Sequence, residues 1–345
     1  MLDAMCKEIM LRNDFFDEGV KVDTVYFGGG TPSILDAAML ARLLNVIREN
    51  FSLSDDAEIT LEANPDDIAE ENLAAWTNVG IHRLSIGIQT FDEKELKMMN
   101  RAHDAAQAIN SLNILARAGF KNFSADLIYG SPLQNLSLLE KNIDTLLSFN
   151  PTHISAYALT IEEKTALAYA INKGIVAGPD EDHQAKAFDL LVKKLTTAGF
   201  EHYEISNFSK AQFESKHNTS YWQGKPYLGI GPSAHSFDGA FIRRWNIPNN
   251  ALYISAIENN GSYWEDEHLS SLNRMNEMIM TGLRMKKGLD LEQFSAMFNN
   301  ENFAELMNVA STEIKNGNLI CEGNFIKIPE AARFLADGVI SRLFF

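Results

Sequence analysis

Three consecutive glycines could bring backbone N–H groups close to a ligand. Gly28, Gly29 and Gly30, followed by Thr31, end the first predicted strand. Because glycine has no Cβ atom, the N–H groups of such a run can approach an anionic or polar ligand closely. The same residues also suit a tight turn that binds nothing. The glycine run alone leaves both interpretations open.

Four polar side chains lie within or just after later predicted strands. Glu62 belongs to the run LEANP, Gln89 ends LSIGIQ, Asp126 lies inside FSADLIYG, and Arg101 follows the third strand. A carboxylate accepts hydrogen bonds from ribose hydroxyls or an ammonium group, an amide both donates and accepts, and arginine can clamp a carboxylate. Taken singly, each residue could instead be a helix cap or a surface group.

Asp126 is the exception among these residues. Its neighbours Phe123, Leu127 and Ile128 predict a strand that is apolar on both faces. A carboxylate in such a strand needs a partner, because burying an unpaired charge is costly. We therefore expect Asp126 to face a ligand or a polar group.

Alternating strands and helices must position these residues. Short apolar segments at 24–29, 58–63, 83–89, 122–129 and 153–160 predict strands, and residues 2–16, 36–50, 104–117 and 136–149 have helical spacing or length. Crossover helices of this length require a mainly parallel sheet or barrel. In such folds ligands bind at the carboxyl ends of the strands, where the polar residues fall.

Composition excludes several classes of protein. The chain has 345 residues, a net charge of −16 and 46% hydrophobic residues, which predicts a folded, enzyme-sized protein that is not attracted to nucleic acid. Its two cysteines, Cys6 and Cys321, cannot form a disulfide framework. No apolar run is long enough for a membrane span, and the first ten residues do not resemble a signal peptide. We expect a cytoplasmic location.

Four segments resemble the radical S-adenosylmethionine (SAM) superfamily, in its branch related to oxygen-independent coproporphyrinogen III oxidase. They read VYFGGGTPS, LEANP, RLSIGIQTFDEKELKMMNRAH and ADLIYGSPLQ. The resemblance implies a partial parallel (β/α)6 barrel with a small, mainly helical C-terminal domain. It also implies a SAM site, which maps here onto Gly29, Gly30, Thr31, Glu62, Gln89, Arg101 and Asp126.

The segment HNTSYW resembles the HNxxYW signature of the HemW family of haem chaperones within that branch. It contains His217, Asn218, Tyr221 and Trp222, a composition that could ligate iron and stack on a porphyrin. The residues alone also suit a loop in which His217 caps a helix. The resemblance favours the haem interpretation, with His217 as the iron ligand and His235 as the second candidate.

One departure from the superfamily pattern concerns its iron–sulfur cluster. The superfamily carries a CxxxCxxC loop whose three thiolates hold a 4Fe-4S cluster, and this chain has no such motif. A truncated start and natural loss of the cluster both explain the difference, and we expect truncation because losing a barrel strand would expose a sheet edge. Without the cluster's electron and open iron, the chain as written should not cleave SAM.

The resemblance also implies a division of the chain and a function. We expect a radical SAM core over residues 1–210, a connecting segment with the HNxxYW motif over 211–268, and a C-terminal domain over 269–345. The expected function is a haem chaperone that delivers haem to respiratory proteins, with SAM and a 4Fe-4S cluster in the full-length form only. Peripheral membrane contact and a homodimer remain open.

Two other functions remain as alternatives to the haem chaperone. The first is an oxygen-independent coproporphyrinogen III oxidase of porphyrin biosynthesis, which the HNTSYW segment and the short N-terminus argue against. The second is an α/β barrel that binds an unrelated small ligand in its open mouth.

Overall fold

The computed structural model describes all 345 residues, which form two compact units. The sheet unit comprises Tyr26–Ala37 and Glu58–Ser215. The composite unit comprises Met1–Val25, Ala38–Ala57 and Lys216–Phe345. Each unit is therefore assembled from segments that are separated in the sequence.

A seven-stranded sheet dominates the fold. Its strands are β1 (Val22–Phe27), β2 (Leu53–Ala63), β3 (Arg83–Gln89), β4 (Phe123–Tyr129), β5 (His153–Ala158), β6 (Glu201–His202) and β7 (Asn207–Ser209), in the order β1-β2-β3-β4-β5-β7-β6. Strands β2 to β5 pair in parallel. The mainly parallel sheet predicted from the sequence is confirmed, with strand ends within two residues of those predicted except at the start of β2, which lies five residues earlier.

A hairpin of two antiparallel strands, β6 and β7, forms one edge of this sheet. Strand β7 pairs antiparallel with β5 and with β6. Because only four residues separate β6 from β7, the two strands form a hairpin, whose partners must run in opposite directions. The sheet is therefore not parallel throughout.

Helix α1 precedes the first strand, and seven further helices each follow a strand of this sheet along the chain. They are α1 (Leu2–Leu11), α2 (Ala37–Asn50), α3 (Glu70–Val79), α4 (Glu93–Met98), α5 (Ala105–Ala118), α6 (Leu136–Leu147), α7 (Ala166–Asn172) and α8 (Glu181–Thr197). Helix α5 shows how their ends are set: Asp104 and Gln107 form a capping box, and Gly119 ends the helix in the left-handed conformation. Helix α1 is shorter than predicted, because Asn13 and Asp14 favour a turn.

The remainder of the chain adds six helices and two small sheets. The helices are α9 (Lys216–Trp222), α10 (Asn250–Glu258), α11 (Ser271–Arg284), α12 (Leu291–Met297), α13 (Asn300–Lys315) and α14 (Ala336–Ser341). The strands are β8 (His235–Phe237), β9 (Ile242–Asn246), β10 (Trp264–His268), β11 (Leu289–Asp290), β12 (Ile320–Glu322) and β13 (Phe325–Lys327), which pair as β10-β9-β8 and β11-β13-β12.

A buried carboxylate fastens helix α1 within the composite unit. Glu8 is fully buried and accepts hydrogen bonds from the Tyr253 hydroxyl at 2.5 Å, Asn246 Nδ2 at 2.7 Å and the Gly231 N–H at 2.8 Å. Burial raises the pKa of Glu8, and these donors counteract part of that rise. The network ties α1 to α10, to β9 and to the loop before β8.

One face of strands β2 to β5 is unusually polar. In register across the strands, Glu62 pairs with Ser85, Ser85 with Ser124, and Ser124 with His153. Neighbouring paired residues share a face of the sheet. The prediction of a β4 strand that is apolar on both faces is therefore wrong, because Asp126 shares its face with Ser124.

Side chains on this polar face form hydrogen bonds with one another at positions before the carboxyl ends of the strands. His153 Nδ1 is 2.7 Å from Ser124 Oγ, and His153 Nε2 is 2.8 Å from the Tyr203 hydroxyl oxygen. Ser124 Oγ and Ser155 Oγ are 3.0 Å apart. The opposite face carries the apolar core, including Leu61.

No helix of the chain is long and apolar enough to cross a bilayer.

Candidate functional site

A polar cavity of about 200 Å³ lies in the sheet unit at the carboxyl ends of β2, β3 and β4. Six of the seven residues predicted for the SAM site line it: Gly30, Thr31, Glu62, Gln89, Arg101 and Asp126. The seventh, Gly29, contacts Glu62 rather than the cavity itself. The structure thus brings together residues that are spread over about 100 positions of the sequence.

Glu62 connects β2 to the glycine loop. The Tyr26 hydroxyl donates a hydrogen bond to Glu62 Oε1 at 2.8 Å, and the Gly29 N–H donates to Oε2 at 3.1 Å. Burial and the neighbouring carboxylate raise the pKa of Tyr26, so its hydroxyl stays protonated and remains a donor. The carboxylate is therefore held at both oxygens.

The glycine loop needs glycine for two separate reasons. Gly29 and Gly30 have φ angles of +77° and +66°, which residues with side chains rarely adopt. A Cβ atom on Gly28 would lie 2.5 Å from the Tyr26 ring and 2.9 Å from Glu62 Oε1. The close packing of Tyr26 and Glu62 thus excludes a side chain at position 28.

Arg101 and Gln89 form another wall of the cavity. Arg101 Nη2 donates to Asn64 Oδ1 at 3.0 Å, whereas its buried Nε has no hydrogen-bond partner. A Cβ atom on Gly87 would lie 3.0 Å from both the Arg101 Nη2 and Gln89 Nε2 atoms. Gln89 itself has a φ of +66°, where the register between β3 and β4 shifts. The unpaired Nε offers a donor to an anionic ligand group.

Asp126 supplies a second carboxylate to the cavity. Burial raises its pKa to about 7, although a hydrogen bond from Ser155 and the charge of Arg101 oppose the rise. Its Oδ1 atom is buried and has no hydrogen-bond partner. A ligand that donates a hydrogen bond to this oxygen would remove the free-energy cost of burying it unpaired.

These features fit SAM. The ligand carries hydroxyls and an ammonium that can donate to the carboxylates of Glu62 and Asp126, and a carboxylate that can accept from Arg101. The unpartnered Asp126 Oδ1 and Arg101 Nε atoms are an acceptor and a donor that a ligand with both donors and acceptors would satisfy. The residues present are therefore suited to hold SAM.

Six further residues line the cavity that were not predicted for the site: Pro32, Ser33, Ala63, Asn64, Ser85 and Gly87. Three of them carried a usable signal. Ser85 and Gly87 alternate with Gln89 along β3, so all three must share one face of the strand. Asn64 directly follows β2, at the end where ligands of parallel sheets bind.

A second group of predicted residues lies on helix α9 of the composite unit. His217 and Tyr221 are four positions apart, as are Asn218 and Trp222, so each pair shares a side of the helix. The Tyr221 ring meets the His217 imidazole edge-on with 4.9 Å between centroids, and Tyr227 meets Tyr221 at 4.6 Å. Tyr221 is exposed, whereas His217, Asn218 and Trp222 are half-buried.

Two side chains from other elements contact residues of α9. The Arg284 guanidinium lies 5.1 Å from the Trp222 ring centroid, while Trp222 Nε1 is buried without a hydrogen-bond partner. Thr24 Oγ1, which the sequence did not single out, lies 3.2 Å from His217 Nδ1. His235 is exposed on β8 beside Trp245, with 6.2 Å between ring centroids.

The residues present do not fit a 4Fe-4S cluster. Such a cluster needs three spaced thiolates, and the chain contains only Cys6, which is buried on α1, and Cys321, which is exposed on β12. No group of three or more His, Cys, Asp or Glu side chains is arranged to hold a metal ion.

Comparison with known proteins gives matches over most of the chain. The model of the radical SAM superfamily matches residues 5–146, and that of the HemN C-terminal domain matches residues 269–335. The "Heme chaperone HemW" of Lactococcus lactis is 35% identical over 319 residues, which cover 92% of this chain and 83% of that protein. Its Bacillus subtilis namesake is 35% identical over 277 residues, covering 80% and 73%.

A solved structure shows the same fold. Coproporphyrinogen III oxidase (HemN) from Escherichia coli matches with a TM-score of 0.82 and covers 99% of this chain and 82% of its own. The two sequences are 23% identical, so the likeness concerns the architecture alone.

Proposed function

Because this chain belongs to the HemW family of the radical SAM superfamily, we propose that it is a haem chaperone that binds haem and passes it to haem-dependent proteins, including those of respiration. Relatives at 35% identity carry the name heme chaperone, which supports the proposal. We place the haem contact on the four motif residues of α9, with His217 as the iron ligand.

The observation that carries the proposal is the arrangement of His217 and Tyr221. An imidazole and an aromatic ring lie side by side on one short helix, and Tyr221 is exposed. A neutral imidazole ligates iron, and a flat aromatic ring can contact a porphyrin face. The pair thus combines the two kinds of contact that haem can accept.

The polar cavity of the sheet unit has a separate role in this proposal. Glu62, Arg101 and Asp126 would hold SAM by its charged and polar groups, while the glycine loop supplies backbone contacts. When bound, SAM supplies a sulfonium group within the cavity. The residues of this chain bind and orient it, and nothing in the haem contact on α9 requires its cleavage.

A haem titration followed at the Soret band tests the proposal. We expect near-stoichiometric binding by the wild-type chain and a loss of affinity of about tenfold or more in His217→Ala, because an iron ligand is removed. The matched control is His235→Ala, which removes another imidazole that lies beside an aromatic ring in the same unit. If His235→Ala weakens binding and His217→Ala does not, the ligand assignment is wrong.

Two further measurements separate a chaperone from an enzyme. Haem should move from the loaded protein to a haem-free globin, which serves as a general acceptor. The protein should not convert coproporphyrinogen III under the same conditions. Conversion of coproporphyrinogen III would favour the oxidase alternative, and haem that cannot be transferred would contradict the chaperone proposal.

A further inference from the structure

Strand β1 contributes a hydroxyl group to the environment of His217. Thr24 Oγ1 and His217 Nδ1 are 3.2 Å apart, although the two residues are 193 positions apart in the sequence. Both residues belong to the composite unit, and both are half-buried. The contact therefore lies within one compact body.

The imidazole is held on a second side as well. The Tyr221 ring packs edge-on against it, with an interplanar angle of 87°. Thr24 is β-branched and sits in a strand, so its side chain has few rotamers and the direction of its hydroxyl oxygen is restricted. In this arrangement Nδ1 is the ring nitrogen that faces Thr24.

We propose that Thr24 is a positioning residue, which accepts a hydrogen bond from Nδ1–H of His217 and thereby directs Nε2 of the ring toward the haem iron. The inference rests on the proposed function, since it names a residue that acts on the haem ligand. Thr24 does not itself touch the iron.

The chemistry of imidazole makes the choice of nitrogen decisive. A neutral ring carries one N–H and one lone pair, and only the lone pair binds a metal. If Nδ1 carries the proton and donates it to Thr24, the lone pair is on Nε2. Histidine ligands in metal sites commonly donate their other N–H to a neighbouring acceptor, which fixes the tautomer and the ring orientation. If the Thr24 hydroxyl instead donated to Nδ1, the lone pair would face the strand.

Two variants distinguish the effect of the Thr24 hydroxyl from the effect of the shape of its side chain. Thr24→Val keeps the branched side chain and suits a strand, but it removes the acceptor. Thr24→Ser keeps the hydroxyl and should behave like the wild type. The matched control is Thr219→Val on α9, because the Thr219 hydroxyl is buried without a hydrogen-bond partner.

The first measurement uses the haem-free protein. Nitrogen-15 NMR of the His217 ring, well above the ordinary imidazole pKa of about 6.5, reports which nitrogen carries the proton. We expect the Nδ1–H tautomer in the wild type, Thr24→Ser and Thr219→Val, and a shift away from it in Thr24→Val. An Nε2–H ring in the wild type, or the same tautomer in Thr24→Val, would overturn the proposal.

The second measurement uses the haem-loaded protein. Thr24→Val should weaken haem binding about tenfold, the lower end of the effect of removing a partner of a metal ligand, and Thr24→Ser should not. The iron–histidine stretching band of the ferrous complex should shift in Thr24→Val only. Unchanged affinity and an unchanged band in that variant overturn the proposal and leave the proposed function intact.

Failure of the proposed function has a different signature. A wild-type chain that binds no haem, or a His217→Ala variant that binds it as well as the wild type, contradicts the role of His217 as iron ligand and with it the role of Thr24 toward iron. The NMR measurement still decides whether Thr24 sets the tautomer. The two failures are thus distinguishable.

Discussion

Tyr26 donates a hydrogen bond to Glu62 across 2.8 Å, and Glu62 in turn accepts the Gly29 N–H with its other oxygen. The tyrosine thus fixes a carboxylate that itself holds the glycine loop. No Cβ atom fits at Gly28, because the Tyr26 ring and Glu62 already fill the space. The loop conformation and the position of Glu62 are therefore set together.

Removing the Tyr26 hydroxyl should loosen this arrangement. In Tyr26→Phe, Glu62 loses one of its two donors, so we expect SAM to bind about tenfold more weakly, as is typical when one hydrogen bond to a charged group is lost. Isothermal titration calorimetry with SAM measures the change. Tyr169→Phe, at a tyrosine that is 62% exposed, is the control and should bind like the wild type. Equal affinity in the two variants would show that Tyr26 does not position the site.

Asp126 should make the stability of the protein depend on pH. Its pKa is raised to about 7, whereas a carboxyl group in an unfolded chain titrates near about 3.9. Between these values the folded protein holds a proton that the unfolded chain has released, so the free energy of unfolding should fall as pH rises from about 4 to about 7. Asp126→Asn removes this dependence.

Urea unfolding at about pH 4.5 and about pH 8 measures the effect. Relative to the wild type, Asp126→Asn should gain about 2 kcal/mol between the two pH values, less than the full pKa difference implies because Asp126 borders an open cavity. Asp189→Asn makes the same change of charge at an exposed position of α8 and should show no such gain. A gain of the same size in both variants would contradict a role for Asp126.

The sequence predicted the strands and most of the polar cavity, because both depend on local signals. Alternating strands and crossover helices require the strand ends to meet, so Glu62, Gln89 and Asp126 could be placed at one edge of the sheet. The fold comparison and the family matches confirm the radical SAM architecture.

Long-range partners could not be predicted from the sequence. The contact between Thr24 and His217 joins a strand to a helix 193 positions away. Nothing in the sequence around either residue indicates that the two are in contact. The polar face was missed for a related reason. Asp126 was interpreted from its neighbours along the strand, whereas its environment comes from Ser155 on the next strand.

His153 should remain neutral well below the ordinary pKa of histidine. Burial and the nearby Arg83 lower its pKa strongly, and its two ring nitrogens face Ser124 and Tyr203. Since the unfolded chain takes up a proton near pH 6.5 and the folded chain does not, the contribution of His153 to stability should be lost as pH falls below that value.

Proton NMR of the histidine rings measures the titration of His153 directly. The Cε1–H resonance of His153 should stay unchanged from about pH 8 to about pH 5. The variant His153→Ala identifies the resonance by its disappearance. A His153 resonance that shifts with a midpoint near pH 6.5 would contradict the prediction.

Helix α1 offers a direct comparison of a buried and an exposed carboxylate. Glu8 is fully buried and receives three hydrogen bonds, whereas Asp3 pairs with Arg42 at 2.6 Å on the surface, where its side chain is 86% exposed. Glu8→Ala leaves three buried donors without an acceptor and should reduce the free energy of unfolding by about 3 kcal/mol. Asp3→Ala should reduce it by less than about 1 kcal/mol, because water screens a surface ion pair. Urea unfolding of both variants measures the difference, and equal losses would show that the buried network does not fasten α1.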